Sequence, residues 1–193
     1  PGRVEFSKPA STAVTVTQSQ VSVGREAHEK REVLRQLLRD AKDLQNAIIF
    51  CNRKRDVAIV YKSLQKHGFS VGALHGDMDQ SARMASLEQF RKGDLPLLVA
   101  SEVAARGLDI PEVSHVFNFD VPHHPDDSVH RIGRTGRAGR LGTAMTIVSP
   151  ADQKSVLAIE KLIGQPIPRA EGPAVSPALQ PAEQLEETAD AGP

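Results

Sequence analysis

Five short apolar runs recur along the chain: NAIIFC (46–51), SVGAL (70–74), LPLLVAS (95–101), SHVFNFD (114–120) and TAMTIVS (143–149). They are rich in Val, Ile and Phe, too short for helices, and continuous rather than alternating. That pattern predicts strands of a parallel sheet buried on both faces. Helical stretches separate them. Residues 26–42 carry Val33, Leu34, Leu37, Leu38 and Ala41 on one stripe, the mark of a helix with one face on a core. The stretches 53–67 and 79–92 end at Gly68 and Gly93, left-handed stop positions. Ser149-Pro150-Ala151-Asp152 supplies a cap, a first-turn proline and an acidic third position before a helix ending at Gly164. The segment TAVTVTQSQVSV (12–23) alternates, as an edge strand or an extended lead-in does. Repeated strand–helix units with right-handed crossovers predict an α/β domain, three-layered and doubly wound around a mainly parallel sheet. It is expected to occupy residues 26–168, after an interdomain lead-in over 1–25.

In such sheets ligands gather at the carboxyl ends of the strands. Three polar, Gly-rich segments are expected to line that edge: HGD (75–77), SEVAARGLD (101–109) and HRIGRTGRAGR (130–140). The last places four arginines and three glycines in eleven residues. Like charges this close repel, and glycines weaken a helix, so the segment suits a strongly negative ligand. Read as a helix at about 100° per residue, it puts His130, Arg134 and Arg137 on one face. Gly133 and Gly136 beside them permit close approach, and guanidinium forks bind phosphate oxygens in pairs.

Composition narrows the class. Of 193 residues, 39% are hydrophobic and 25% charged, as in ordinary soluble domains. No apolar run nears the roughly 20 residues that span a bilayer. The single cysteine, Cys51, rules out an intrachain disulfide and suits a reducing compartment; it reads as a core residue. The neutral total conceals a division. Residues 169–193 hold one basic and five acidic residues, a net of −4, which leaves +4 on 1–168. That Pro/Ala/Glu-rich stretch is expected to be a disordered tail. His123-His124 stands without further ligand residues, so no metal site is expected, and no nucleophile–base or paired-carboxylate spacing occurs. The chain opens PGRVEF, without an initiator Met or targeting pattern, and reads as part of a longer protein.

HRIGRTGRAGR resembles motif VI of the DEAD-box ATP-dependent RNA helicases. IIFCNRKRD (48–56) resembles motif IV, LHGDMDQSAR (74–83) the GD and QxxR elements, and ASEVAARGLDIP (100–111) motif V. Order and spacing fit over about residues 40–150, and His130 at the head of motif VI matches the DEAD-box branch. The resemblance implies the C-terminal RecA-like domain of a bacterial, RhlE/RhlB-like helicase. The phosphate loop GxxxxGKT and the Asp-Glu-Ala-Asp sequence, which do not occur here, belong to the family's N-terminal domain. It further implies that Arg134 and Arg137 reach the ATP γ-phosphate, and that His130 links to the other domain. Asp109 would face the ribose beside Gly107. Gly76, Asp77, Gln80, Arg83 and Ser101 would hold RNA by its backbone, although Asp77 equally reads as a cap on local amides. The implied ligands are ATP with Mg2+, held mainly by the N-terminal domain, and RNA. Ribonucleoprotein or RNA-decay proteins are the implied partners, in the cytoplasm and away from membranes. With 4% aromatics and no Trp, base stacking is a minor contributor, so binding is expected to ignore sequence and weaken with salt. Two positions depart from the pattern: Glu102 replaces the usual Asp of motif V, and Ser128 an aromatic before motif VI, both expected to loosen local packing. The competing readings are a non-enzymatic RNA-binding or docking module, and a DNA-acting superfamily 2 translocase.

The resemblance implies half an ATPase. The isolated chain, mixed with RNA and Mg-ATP, is expected to release no phosphate above background, and RNA-stimulated turnover would contradict the reading.

Overall fold

A computed structural model describes residues 3–6, 14–137 and 140–170; the tail expected at 171–193 lies outside them. Seven strands form one sheet: β1 (Arg3–Phe6), β2 (Val14–Ser22), β3 (Ala47–Cys51), β4 (Val71–Leu74), β5 (Leu97–Ser101), β6 (His115–Asn118) and β7 (Leu141–Val148), in the order β1-β2-β7-β6-β3-β5-β4. All neighbours pair in parallel except β1, which runs antiparallel to β2. The helices are α1 (Ala27–Asp40), α2 (Lys54–Lys66), α3 (Gln80–Lys92), α4 (Glu102–Ala105), α5 (Pro125–Ile132) and α6 (Gln153–Ile163). Among the described residues no helix is long and apolar enough to cross a membrane.

The strands are apolar at consecutive positions because both faces are covered. Ile49, Val99, Phe117 and Ile147 pack with Val33, Leu34, Leu37, Val57, Val60 and Leu64 of α1 and α2. Ile48, Phe50, Leu98, Ala100, Val116 and Ala144 pack on the other face with residues of α3, α4 and α5. α6 adds a smaller cluster of Val156 and Ile159 against Val121, Val148 and Ile167. The expected stops hold: Gly68, Gly93 and Gly164 have φ of 88°, 86° and 80°. Before α6, Ser149 N and Oγ both donate to Asp152 at 2.9 and 2.8 Å.

The alternating segment near the N-terminus is an interior strand. β2 pairs with β7 from Thr15↔Leu141 to Ser22↔Val148, and its first residues also pair with β1. Its polar residues misled the reading because two glutamines are buried there, Gln18 at 4% and Gln20 at 5% exposure. Gln20 is satisfied by the chain beyond α6: its Nε2 donates to Ile167 O at 2.8 Å, and its backbone bonds Pro168 and Ala170. A polar side chain is tolerated in a core when another segment supplies its partner.

Gly142 in β7 is a steric requirement. A Cβ there would lie 2.5 Å from Gly136 N and against Thr135 Oγ1. Gly142→Ala is expected to lower stability by about 1–3 kcal/mol, read as a lower urea midpoint. Gly76→Ala, with no heavy atom within 4 Å of its Cβ, is expected to leave the midpoint unchanged.

Candidate functional site

β3, β4 and β5 end in register, with Cys51 beside Ser101 and Leu74 beside Ala100. The loops that follow therefore meet at the carboxyl edge of the sheet. Ser101 is buried at 5% exposure, and its Oγ accepts from Ala104 N at 3.2 Å, capping α4. Its hydroxyl proton is left to donate. Gly76 is open on its Cβ side. On the first turn of α3, Arg83 Nη2 donates to Gln80 Oε1 at 2.6 Å, and Arg83 Nε is buried without a hydrogen-bond partner. Asp77 does not cap amides: Lys54 Nζ reaches its Oδ1 at 2.8 Å, and Asp79 caps α3 through Ala82 N at 2.7 Å. The Lys54 hydrogen bond, then its charge, holds the Asp77 carboxyl below the usual range. Lys54 and Asn52 escaped the sequence reading, although a basic run directly after a buried strand was the available signal.

Arg131 ties this edge together. It is 1% exposed, and its guanidinium donates to Glu102 Oε1 (2.7 Å), Asn118 Oδ1 (3.1 Å), Asp120 O (3.0 Å) and Asn52 Oδ1 (2.9 Å). The Phe50 ring lies beneath it, 5.0 Å from centroid to Cζ. In the sequence Arg131 is one of four similar arginines, and neither spacing nor resemblance gives it a role. Glu102, expected to loosen motif V, instead uses its length to reach this guanidinium. Ser128, the other departure, is buried at 3% exposure one turn earlier on α5.

The arginine-rich segment is not one helix. α5 ends at Ile132 with Gly133 as its cap, so the shared helical face expected for His130, Arg134 and Arg137 does not form. Competing partners draw the chain away: Val113 N donates to Arg134 O at 2.9 Å, and Thr135 Oγ1 donates to Val113 O. Gly136, at φ 69°, then turns the backbone. Nor do all three Gly-rich segments share one edge. α5 returns from the end of β6 to the start of β7, which places Arg134 and Arg137 at the amino edge, opposite Gly76 and Ser101. The segment after α4 makes the same descent through Gly107 (φ 82°) to Asp109, which is exposed and whose carbonyl accepts from Arg91 Nη2 at 2.7 Å.

Arg134 is half-buried. Burial pushes its guanidinium below the usual range, while the Glu102 charge raises it and Arg137 lowers it. Arg137 is exposed, and its Nε donates to Gly133 O. A Cβ at Gly133 would come within 3.8 Å of Arg137 Nη2, so this glycine is the bed on which the arginine rests. A half-buried and an exposed guanidinium on one short segment suit a phosphate chain. His130 sits apart, exposed on α5 beside a 400 Å³ groove that Val129, Leu162 and Ile163 also line. Among the described residues no group of three His, Cys, Asp or Glu side chains is placed to hold a metal. Cys51 is fully buried, and burial, then Asp120 and Asp56, pushes its thiol well above the ordinary range, which leaves it a core residue.

Removing one partner of a buried ion pair strands the other. Glu102→Ala is expected to destabilise the fold by about 3 kcal/mol, measured by urea unfolding. An unchanged midpoint would mean that the pair contributes nothing net.

Comparison with known proteins agrees with this fold. The family described as "Helicase conserved C-terminal domain" matches residues 29–139. The DEAD-box ATP-dependent RNA helicase CshA of Bacillus subtilis strain 168 is 38% identical over 185 residues, covering 96% of this chain and 37% of that protein. CshA of Bacillus licheniformis is 41% identical over 162 residues, covering 83% and 33%. The chain thus spans about a third of these relatives' length. Among solved structures, Escherichia coli SrmB bound to regulator of ribonuclease activity A superposes with a TM-score of 0.74 at 37% identity, covering 79% of this chain and 89% of that one. Saccharomyces cerevisiae Dbp5 bound to RNA and ADP BeF3 superposes with 0.72 at 30% identity, covering 90% and 44%. The sheet with its two helical layers is the RecA-like C-terminal fold, and the chain belongs to the DEAD-box family as its C-terminal helicase domain.

Proposed function

We propose that the chain supplies one wall of an ATP site and one wall of an RNA path in an ATP-dependent RNA helicase. The observation that carries this reading is the separation of two polar surfaces, at opposite edges of one sheet, joined by α5. At the amino edge, Arg134 and Arg137 donate to the γ-phosphate and neutralise charge as the bond to the leaving ADP breaks. Arginines in that role are worth about 10³–10⁵ in rate. The Asp109 carboxylate, next to Gly107, accepts from a ribose hydroxyl. The N-terminal half of the protein holds most of the triphosphate and Mg2+, and His130 meets that half.

At the carboxyl edge, the Gly76 amide, the Ser101 hydroxyl, Gln80 and the Arg83 guanidinium grip one strand by its sugar–phosphate backbone. Asp77 takes part through Lys54, whose position it sets. None of these groups reads a base, so binding is independent of sequence. RNA and ATP both bridge the two halves, and closure bends one strand so that its partner separates. The complex of Dbp5 with RNA and ADP BeF3 supports both ligands. SrmB bound to regulator of ribonuclease activity A supports a role for RNA-decay or ribonucleoprotein partners. The buried, lone Cys51 suits the cytoplasm.

The test compares the edges in the full-length protein. Arg134→Lys and Arg137→Lys, which keep the charge but lose the fork, are each expected to cut ATP turnover by about 10²-fold or more. RNA affinity should stay within about threefold, since neither residue is at the carboxyl edge. Arg83→Ala is expected to weaken poly-U and mixed-sequence RNA equally and to reduce the salt slope by about 0.7. Near-wild-type turnover in both lysine variants would remove the arginines from the ATP site. A loss confined to one RNA sequence would make Arg83 a base reader.

A further inference from the structure

Glu112 stands just before β6 and was assigned no role by sequence or resemblance. Its side chain is 24% exposed. One oxygen, Oε2, accepts from the backbone amide of Arg137 at 2.7 Å; the other, Oε1, accepts from Arg140 Nη1 at 3.2 Å. The next residues extend the same grip. Val113 bonds Arg134 O through its amide and Thr135 Oγ1 through its carbonyl, and Ser114 O accepts from Thr143 N at 3.1 Å. Residues 112–114 thus form a splint against Arg134, Thr135, Arg137, Arg140 and Thr143. Asn46 steadies the splint from β3's side, donating to Glu112 O at 3.3 Å and accepting from Ser114 N at 2.9 Å.

Within this splint Glu112 is the single side chain that holds the backbone of Arg137 itself. Gly136 before it is at positive φ, and among the described residues the Arg137 guanidinium is tethered only to Gly133 O. Without the carboxylate, the amide of Arg137 has no acceptor among the described residues. The Arg140 contact is a different matter. Arg140 is 77% exposed, and an ion pair in that setting contributes little. We propose that Glu112 is a positioning residue for hydrolysis, fixing the backbone from which Arg137 reaches the γ-phosphate. The inference rests on the reading of Arg137 given above.

Two measurements separate the inference from that reading. In the isolated chain, Glu112→Ala is expected to move the Arg137 amide signal in a ¹⁵N–¹H spectrum and leave the signals of β3 and β5 in place. In the full-length protein, Glu112→Ala is expected to lower kcat for ATP by between about tenfold and a hundredfold, the scale of a small misplacement at a reacting centre. The KM for ATP should change by no more than about twofold, because the N-terminal half holds most of the nucleotide. Glu112→Gln retains a neutral oxygen for the Arg137 amide and is expected to restore kcat to within about threefold of wild type. The double variant Glu112→Ala with Arg137→Ala should be no slower than Arg137→Ala alone, as for residues acting as a unit. The inference is overturned if the amide signal does not move, if Gln fails like Ala, or if the two losses multiply. If Arg137→Ala alone hydrolyses ATP at the wild-type rate, the arginine assignment has failed and the inference falls with it, whatever the spectrum shows.

Discussion

The structure depends on one buried charge. Stripping an ion of water costs several kcal/mol, and the cost is recovered only when its hydrogen-bonding positions are filled in good geometry. Arg131 meets that condition with partners from four places: Asn52 after β3, Glu102 at the head of α4, Asn118 at the end of β6 and the Asp120 carbonyl beyond it. They lie at the carboxyl ends of three strands, β3, β5 and β6. The guanidinium therefore fixes the relative positions of motifs IV, V and VI at the carboxyl edge, and holds α5 over the sheet. A buried aliphatic residue would pack on Phe50 but would impose no such geometry on three loops.

From that fixed point α5 carries the constraint to the other edge. Its end at Gly133 delivers Arg134 and Arg137 onto the 112–114 splint, where Gly142 leaves room for the turn at Thr135 and Gly136. A shift of α5 moves the arginines, and its first half lies beside the loops proposed to hold RNA. The two proposed ligand surfaces are thereby mechanically connected through a helix of eight residues, with the buried Arg131 near its end. Glu102 belongs to the same connection, since it binds Arg131 directly and its charge also acts on Arg134.

What was legible in the sequence was local. Consecutive apolar residues at 47–51 or 97–101 declare strands covered on both faces, because an exposed face would show as alternation. Gly68, Gly93 and Gly164 declare helix ends, because few other residues accept the left-handed conformation. The motifs of the family were likewise readable as strings, and they carried the family assignment before any coordinates. Positions that depend on a distant partner were not legible. Gln18 and Gln20 look like surface residues until β1 and the chain beyond α6 cover β2. HRIGRTGRAGR scans as a helix because periodicity cannot register a hydrogen bond from Val113, more than twenty residues away in the chain. Arg131 and Glu112 look like any surface charges.

The sequence by itself thus determined five of the strands and four of the helices, the layered parallel class and the identity of the family, since each follows from short-range pattern and burial. The tertiary structure alone decided that the arginines and the loops proposed to hold RNA stand at opposite edges of the sheet, that Arg131 is buried while Arg134 is half-buried and Arg137 exposed, and that Glu102 meets Arg131. Those outcomes turn on which buried polar groups find partners across the fold, and a hydrogen bond between residues 29 or 79 positions apart leaves no periodic trace in the chain that makes it.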